Sequence, residues 1–86
     1  MYKVDLSAKA QDFYNKADRP LARKLARCFR QLEQDPRHHG NIKSLAGNLA
    51  GHYRYRVGDY RVIFRIDEGQ QLVAVLKIAH RSTAYD

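Results

Sequence analysis

Polar and apolar side chains alternate most regularly between residues 51 and 66. Because the side chains of a strand point alternately to two faces, this period of two predicts a pair of strands joined at Gly58-Asp59. Glycine takes a positive φ at little steric cost, which suits the first residue of a two-residue hairpin turn. One face of the hairpin is then aromatic and aliphatic, and the other, here called the arginine face, carries Arg54, Arg56, Arg61 and Arg65.

This turn would pair Val57 with Tyr60 and would set Arg56 directly opposite Arg61. Like charges that face each other across a strand pair destabilise a sheet. Stability therefore does not account for the arginines, and binding of a polyanion is the natural alternative.

Helical periodicity replaces this alternation in the N-terminal half, after a short alternating strand over residues 2–6. Ser7 suits the N-cap of a first helix over about residues 8–17. Asp18 and Pro20 suit the first turn of a second helix. Pro36 should end that helix around Gln34 or Asp35, because proline disfavours helix at the residue before it. The apolar stripe of the second helix consists of Leu21, Leu25, Cys28, Phe29 and Leu32.

The second helix also carries five basic residues, Arg19, Arg23, Lys24, Arg27 and Arg30. We favour a solvated face for them, with their stems covering apolar surface. The alternative is a phosphate-binding surface or the footprint of an antagonist. Residues 36–51, with three glycines and two asparagines, predict a long connection that Ile42, Leu45 and Leu49 anchor on the core.

Residues 72–79 are apolar at nearly every position, which predicts a central strand covered on both sides. A four-residue turn before this strand would place Leu72, Ala74, Leu76 and Ile78 on the arginine face. A three-residue turn would instead place Val73, Val75, Lys77, Ala79 and Arg81 there. We favour the three-residue turn because it leaves Lys77 and Arg81 with the other charges, although a slip of one residue exchanges the faces.

The predicted element order is strand, helix, helix, strand, strand, strand, within one domain over residues 1–86. Because helices and strands segregate along the chain, we expect an α+β fold. Two N-terminal helices should pack on one face of a small, mainly antiparallel sheet, and the arginine face should stay partly open.

Charge narrows the choice of partner. The 86 residues carry a formal net charge of +7 at pH 7, and the sequence pI is near 9.9. This balance favours nucleic acid, an acidic protein or an anionic membrane as the partner.

Cys28 is the only cysteine, which excludes an internal disulfide and a cysteine-cluster metal site. No apolar run has the length of a membrane span and no signal peptide opens the chain, so we expect a cytoplasmic protein without membrane contact.

No phosphate-binding glycine loop, metal-ligand pattern or nucleophile elbow occurs, so we expect neither a metal nor another cofactor. The remaining candidates are the basic residues near the hairpin and Tyr85. Metal-free RNA cleavage needs little more, because the 2′-hydroxyl of RNA is itself the nucleophile. Guanidinium groups match phosphate oxygens two at a time, and a tyrosine can stack on a base.

These stretches resemble the RelE toxins of bacterial type II toxin–antitoxin systems, within the RelE/ParE superfamily. The resemblance rests on residues 53–66, on residues 75–81, on Tyr85 and on the lead-in at 43–47. It implies an endoribonuclease that cuts mRNA in the ribosomal A site and that a cognate antitoxin neutralises. The toxin and antitoxin would form a hetero-oligomer that binds operator DNA.

The resemblance also implies roles for individual residues. Arg54 and Arg56 match the basic pair of the first hairpin strand, and Arg61 matches the phosphate-stabilising arginine. Arg81 matches an acid or leaving-group stabiliser, and Tyr85 the base-stacking tyrosine. The expected catalytic residues are Arg54, Arg56, Arg61, Arg81 and Tyr85, and the expected RNA-binding residues are Lys43, Arg65 and Lys77.

One departure from the family has mechanistic weight. Better-known relatives carry lysines where this chain has Arg54 and Arg56, and one of those lysines is the proposed general base. Arginine stays protonated in proteins, so the base here is unassigned. Two alternatives stay open: a ParE-like inhibitor of DNA gyrase with the same fold, and a non-catalytic co-repressor that only binds its antitoxin.

Overall fold

A computed structural model describes all residues, 1–86, as two helices packed on a five-stranded sheet. The elements in chain order are β1 (Lys3–Leu6), α1 (Ala8–Lys16), α2 (Arg19–Gln34), β2 (Ile42–Ser44), β3 (Tyr53–Val57), β4 (Tyr60–Asp67) and β5 (Leu72–His80). A single 3-10 turn covers Gly47–Leu49, between β2 and β3.

Both helices begin where capping chemistry places their first turns. The Ser7 side chain accepts a hydrogen bond from the Ala10 N–H, and the Asp18 side chain accepts one from the Leu21 N–H. Each contact satisfies one of the free N–H groups of a helix start, which stabilises a protein by about 1 kcal/mol. The predicted helix starts are confirmed, and so is the end of α2 predicted around Gln34 or Asp35, which lies at Gln34.

The sheet has the strand order β1-β5-β4-β3-β2. Only β1 and β5 run parallel, and the other neighbours are antiparallel. The α+β class and the mainly antiparallel sheet are therefore confirmed. The long connection predicted over residues 36–51 needs correction, because β2 lies inside it and pairs with β3. Three residues are too few for a period of two to be recognised in the sequence.

The core lies between the helices and one face of the sheet. Its fully buried side chains include Leu25 and Leu32 of α2 and Val62 and Phe64 of β4. Cys28 is packed among them, and burial raises the pKa of its thiol far above the usual value. A buried, protonated thiol is a poor nucleophile, which agrees with the predicted place of Cys28 in the apolar stripe of the second helix. Neither helix has the length and apolarity that a membrane crossing requires.

The register of β5 differs from the one we favoured. Asp67 lies opposite Leu72, so the turn between β4 and β5 has four residues and not three. As a result Val73 and Val75, predicted on the arginine face, are fully buried on the helix-packed face. The three-residue turn is wrong for this half of the strand.

A β-bulge then reverses the alternation halfway along β5. Phe64 pairs with Val75, but the preceding Ile63 pairs with Lys77, which leaves Leu76 as an extra residue. Beyond the bulge Lys77 lies on the arginine face, as predicted, while Ile78 is buried in the core. Each half of β5 thus follows one of the two registers considered, and the bulge joins them.

Contacts with the start of α1 surround this bulge. The Ser7 N–H donates to the Val75 carbonyl, and the Ser7 hydroxyl donates to the Leu76 carbonyl, both at 2.8 Å. The residue that caps α1 thereby also supports the irregular backbone of β5. This contact spans 69 positions of sequence, so no local pattern announces it.

Candidate functional site

Cross-strand pairing gathers most of the predicted site residues on the arginine face. Lys43 of β2 lies opposite Arg54 of β3, which lies opposite Ile63 of β4, and Ile63 lies opposite Lys77 of β5. Residues paired in this way have Cβ atoms about 5 Å apart. The first row of the site is therefore basic at its two sides and apolar at Ile63, whose side chain is buried.

The second row pairs Arg56 with Arg61, as predicted. The Arg61 guanidinium donates two 2.9 Å hydrogen bonds to the carbonyls of Gly58 and Tyr60, so the hairpin turn fixes its direction. Gly58 has the expected positive φ of 57°. Arg56 is exposed and forms no hydrogen bond or ion pair with another side chain, which leaves its donors available to a ligand.

Arg54 is held differently. Its side chain is half-buried and its Nη1 donates to the Asn41 carbonyl at 2.5 Å. That same carbonyl accepts the Arg56 N–H at 2.9 Å. The loop before β2 therefore orients one arginine and supports the strand that carries the other.

Arg65 stands apart from these rows. It lies opposite Ala74, on the far side of the bulge, and four positions along β4 from Arg61. At about 3.4 Å per residue this separates their Cα atoms by about 14 Å. Arg65 is exposed and unpaired, so it can contact a neighbouring part of a long ligand but not the atom that Arg61 contacts.

The residues after β5 fold back over the arginine face. Ala84 is buried, with 3% of its surface exposed, although it lies outside the main core cluster. Lys77 donates to the carbonyl oxygens of Thr83 at 3.2 Å and of Asp86 at 3.4 Å. Lys77, which we predicted to bind RNA, thus also holds the segment after β5 against the sheet. The segment between these contacts carries Tyr85, whose side chain is 46% exposed.

Arg81 is placed by the hairpin turn. Its N–H donates to the Asp59 carbonyl at 2.7 Å, and its Nε lies 3.9 Å from the Asp59 carboxylate. Both side chains are largely exposed, so the ion pair contributes little stability. It does keep Arg81 at the same end of the sheet as Arg56 and Arg61.

Sequence reasoning missed Asp59 and Asn41, which orient these arginines. A signal for Asp59 was present, because antiparallel β4 and β5 bring the hairpin turn beside the residue after β5. Asn41 gave none, since it acts through its backbone carbonyl. The histidines are dispersed, and no three His, Cys, Asp or Glu side chains are grouped where they could hold a metal ion.

Such a site can hold a phosphate between two guanidinium groups and place an aromatic ring nearby. Charged donors of this kind stabilise an anion that gains charge in a transition state. No carboxylate lies within the two rows, so none repels a polyanion there; the Asp59 carboxylate lies outside them, beside Arg81.

Comparisons with known proteins agree with this architecture. Residues 4–85 match the family model "ParE toxin of type II toxin-antitoxin system, parDE". The chain is 33% identical to toxin RelG of Mycobacterium tuberculosis, over 98% of this chain and 95% of that protein. It is 34% identical to toxin RelE of the same organism, over 98% of this chain and 86% of that protein.

Solved structures show the same fold. The toxin–antitoxin complex RelBE2 of M. tuberculosis contains a chain with a TM-score of 0.80 and 27% identity, covering 93% of this chain and 98% of that one. A chain of the archaeal RelE–RelB complex of Pyrococcus horikoshii has a TM-score of 0.82 and 25% identity, covering 96% and 98%.

Proposed function

Because the chain belongs to the ParE toxin family of type II toxin–antitoxin systems, and so to the RelE/ParE superfamily, we propose that it is a ribosome-dependent endoribonuclease. It would cut mRNA in the ribosomal A site and so halt translation. The observation that carries this proposal is the pairing of Arg56 with Arg61 on an open sheet face that bears no acidic residue between them.

The reaction needs no group beyond the RNA and the protein. The 2′-oxygen attacks the adjacent phosphorus, the bond from phosphorus to the 5′-oxygen breaks, and a 2′,3′-cyclic phosphate forms. The 2′-hydroxyl loses a proton and the departing 5′-oxygen gains one. The phosphoryl oxygens gain negative charge in between, and charged donors stabilise them.

Each site residue then has a role that its position supports. Arg61, directed by the turn carbonyls, and the free Arg56 hold the phosphoryl oxygens. Arg81 stabilises the leaving oxygen, and Tyr85 stacks on a base. Arg54, oriented by the Asn41 carbonyl, and Lys43 opposite it bind phosphates next to the reacting one, while Arg65 contacts the RNA strand further away.

An antitoxin is the expected protein partner, because the similar solved chains come from complexes of toxin with antitoxin. An acidic or amphipathic antitoxin segment would cover part of the basic surface, and the complex would bind operator DNA. The ribosome and its mRNA are the proposed targets of the free toxin, which would act in the cytoplasm.

Inhibition of DNA gyrase is the second candidate, because the matching family model is that of ParE toxins. That activity needs a surface for a protein and no cluster of phosphate-binding arginines. The pairing of Arg56 with Arg61 therefore favours RNA cleavage.

The test is a translation extract that contains a defined mRNA and the purified protein. We expect translation to stop and the mRNA to carry codon-phased cuts that end in a cyclic phosphate. Arg61→Ala and Arg81→Ala should each reduce cleavage by on the order of 10²–10³, while Arg23→Ala, on the outer face of α2, should leave it unchanged. Intact mRNA together with inhibited DNA supercoiling would reverse the ranking of the two candidates.

A further inference from the structure

A second set of basic side chains lies on α2, across the sheet from the arginine face. All five are exposed and none forms an ion pair. Several pairs of them are three or four residues apart, a spacing at which like charges destabilise a helix slightly. The set consists of Arg19, Arg23, Lys24, Arg27 and Arg30.

Two of these residues, Lys24 and Arg27, border a depression of about 290 Å³ between α2 and β3. Arg56, from the centre of the proposed site, lines its other side. The lining also includes the neighbours of Arg56 in β3, Tyr55 and Val57, which point to the opposite face of the sheet. The depression therefore lies at the edge of the sheet, where residues from both of its faces line it.

The edge is open at this point because β2 begins too late to cover it. Ile42, the first residue of β2, lies opposite Tyr55, so Arg56 has only the Asn41 carbonyl beside it. Asn41 and Gly58 complete the lining, and no acidic residue takes part. The concave surface combines three basic side chains with polar and apolar groups, and Arg56 belongs both to it and to the arginine face.

We propose that this depression, here called the edge subsite, binds the sugar-phosphate backbone of RNA at a nucleotide next to the scissile one. The proposal deepens the proposed function and rests on it. An RNA strand held between Arg56 and Arg61 would leave the arginine face over the edge and place its next phosphate between Lys24 and Arg27. Small ligand pockets start at about 300 Å³, so the edge subsite suits a phosphate and its ribose but is too small for a peptide helix.

The test compares two double variants that remove equal charge from the same helix. Lys24→Gln with Arg27→Gln empties the edge subsite, whereas Arg23→Gln with Arg30→Gln changes only the outer face of α2. The probe is a fluorescent 2′-O-methyl RNA of about ten nucleotides, within the usual size of single-strand sites, which the proposed reaction cannot cleave. Its affinity for the purified protein is measured by anisotropy over a range of salt.

We expect the first double variant to bind the RNA about tenfold more weakly, as the loss of charge-assisted hydrogen bonds to one phosphate predicts. Its slope of log affinity against log salt should fall by about 0.7, the contribution of one neutralised phosphate in a single strand. The matched variant should keep the affinity of the unchanged protein to within about twofold. Equal losses in both variants, or no RNA binding by the unchanged protein, would overturn the edge subsite.

Two further measurements separate this inference from the proposed function. Cleavage of mRNA on programmed ribosomes tests the function, so cleavage that is equal in both double variants would reject the edge subsite and retain the nuclease. RNA binding that depends on Lys24 and Arg27, without cleavage of mRNA, would retain the edge subsite and reject the nuclease. Loss of antitoxin affinity with unchanged RNA affinity in the first variant would assign the depression to the antitoxin and reject our proposal.

Discussion

Arg56 and Arg61 face each other although neither has a carboxylate partner in its row. Repulsion between them lowers the stability of the folded protein. A bound phosphate would relieve this repulsion, because two of its oxygens can accept hydrogen bonds from one guanidinium. The arrangement is suited to stabilising charge. It is poorly suited to removing a proton, since both side chains stay protonated.

The substitution Arg56→Lys tests whether position 56 stabilises charge or can also remove a proton. Arg54 and Arg61 are positive neighbours, so they lower the pKa of a lysine at position 56. We expect the cleavage rate of this variant on programmed ribosomes to rise with pH between about 7 and 9 as the amine becomes a base. The unchanged protein should lack this rise.

Arg65→Lys is the matched control, because the same substitution lies beyond the bulge and away from the reacting phosphate. Its pH profile should follow that of the unchanged protein. Parallel profiles for all three proteins would mean that position 56 does not approach the 2′-hydroxyl.

At the scale of the elements, β5 decides which residues join the arginine face. In its first half, the side chains of Val73 and Val75 point into the core. In its second half, Lys77 lies on the arginine face, because Leu76 is an extra residue in the bulge. Lys77 then holds the segment that carries Tyr85. With Leu76 present in the chain, the bulge is therefore what brings Lys77 to the arginine face and so to the C-terminal segment.

The bulge predicts that β5 tolerates the loss of one residue. Deleting Leu76 should leave Val75 opposite Phe64 and Lys77 opposite Ile63 in a regular register, at the cost of the Ser7 hydroxyl contact. We expect cooperative thermal unfolding to persist, with a loss of about 1 kcal/mol for the hydrogen bond. Circular dichroism melting measures this directly.

Deleting Lys77 is the matched control, because it gives the same register but places Leu76 opposite Ile63. The anchor of the C-terminal segment is then absent. Amide exchange in residues 83–86 should become faster in this variant and stay unchanged in the first. Loss of cooperative unfolding on deletion of Leu76 would show that the bulge is indispensable to the fold.

These elements also explain how far the sequence alone predicts the site. The hairpin was predictable because its alternation and the Gly58 turn are local, and so were the helix starts at Ser7 and Asp18. The bulge was not, because Ser7 supports it across 69 positions of sequence. The fold-back of the C-terminal segment was missed for a different reason: the contacts of Lys77 are close in sequence, but their acceptors are backbone oxygens, which every residue carries.

At the scale of the whole molecule, one polar cluster ties together the end of the sheet away from the hairpin turn. Glu68, between β4 and β5, accepts hydrogen bonds from Tyr2 at 2.5 Å and from Arg37 at 2.8 Å. Arg37 also donates to the Tyr53 hydroxyl at 2.7 Å. The cluster therefore joins the first strand, the loop after α2 and the sheet.

This cluster predicts a loss of stability in acid. The hydrogen bond from Tyr2, and then that from Arg37, lower the pKa of Glu68 below its ordinary value of 4.5. A carboxylate with a lowered pKa stabilises the folded state above its unfolded pKa, and this stabilisation is lost as the pH falls through the folded pKa. We expect Tm to fall more steeply below about pH 4.5 in the unchanged protein than in Glu68→Gln.

Thermal melts of both proteins across the acid range provide the comparison. Asp35, whose pKa is lowered chiefly by the Arg37 N–H, contributes equally to both proteins and so cancels. Identical slopes would mean that the Glu68 cluster adds no acid-sensitive stability.

The distribution of charge over the molecule favours a polyanion as its ligand. Of the 16 basic residues, seven lie on or beside the arginine face and five on α2, with the edge subsite between the two groups. Such a surface attracts a polyanion from several directions and holds it at the paired arginines. We propose that this polyanion is mRNA and that it is cut at the paired arginines.

Mapping transcript ends in cells after brief induction tests this most directly. Cells that express the unchanged protein should accumulate new 5′ ends within coding sequences, in phase with the codons, while cells that express Arg61→Ala at the same level should not. Robust growth and intact transcripts during expression of the unchanged protein would contradict the claim.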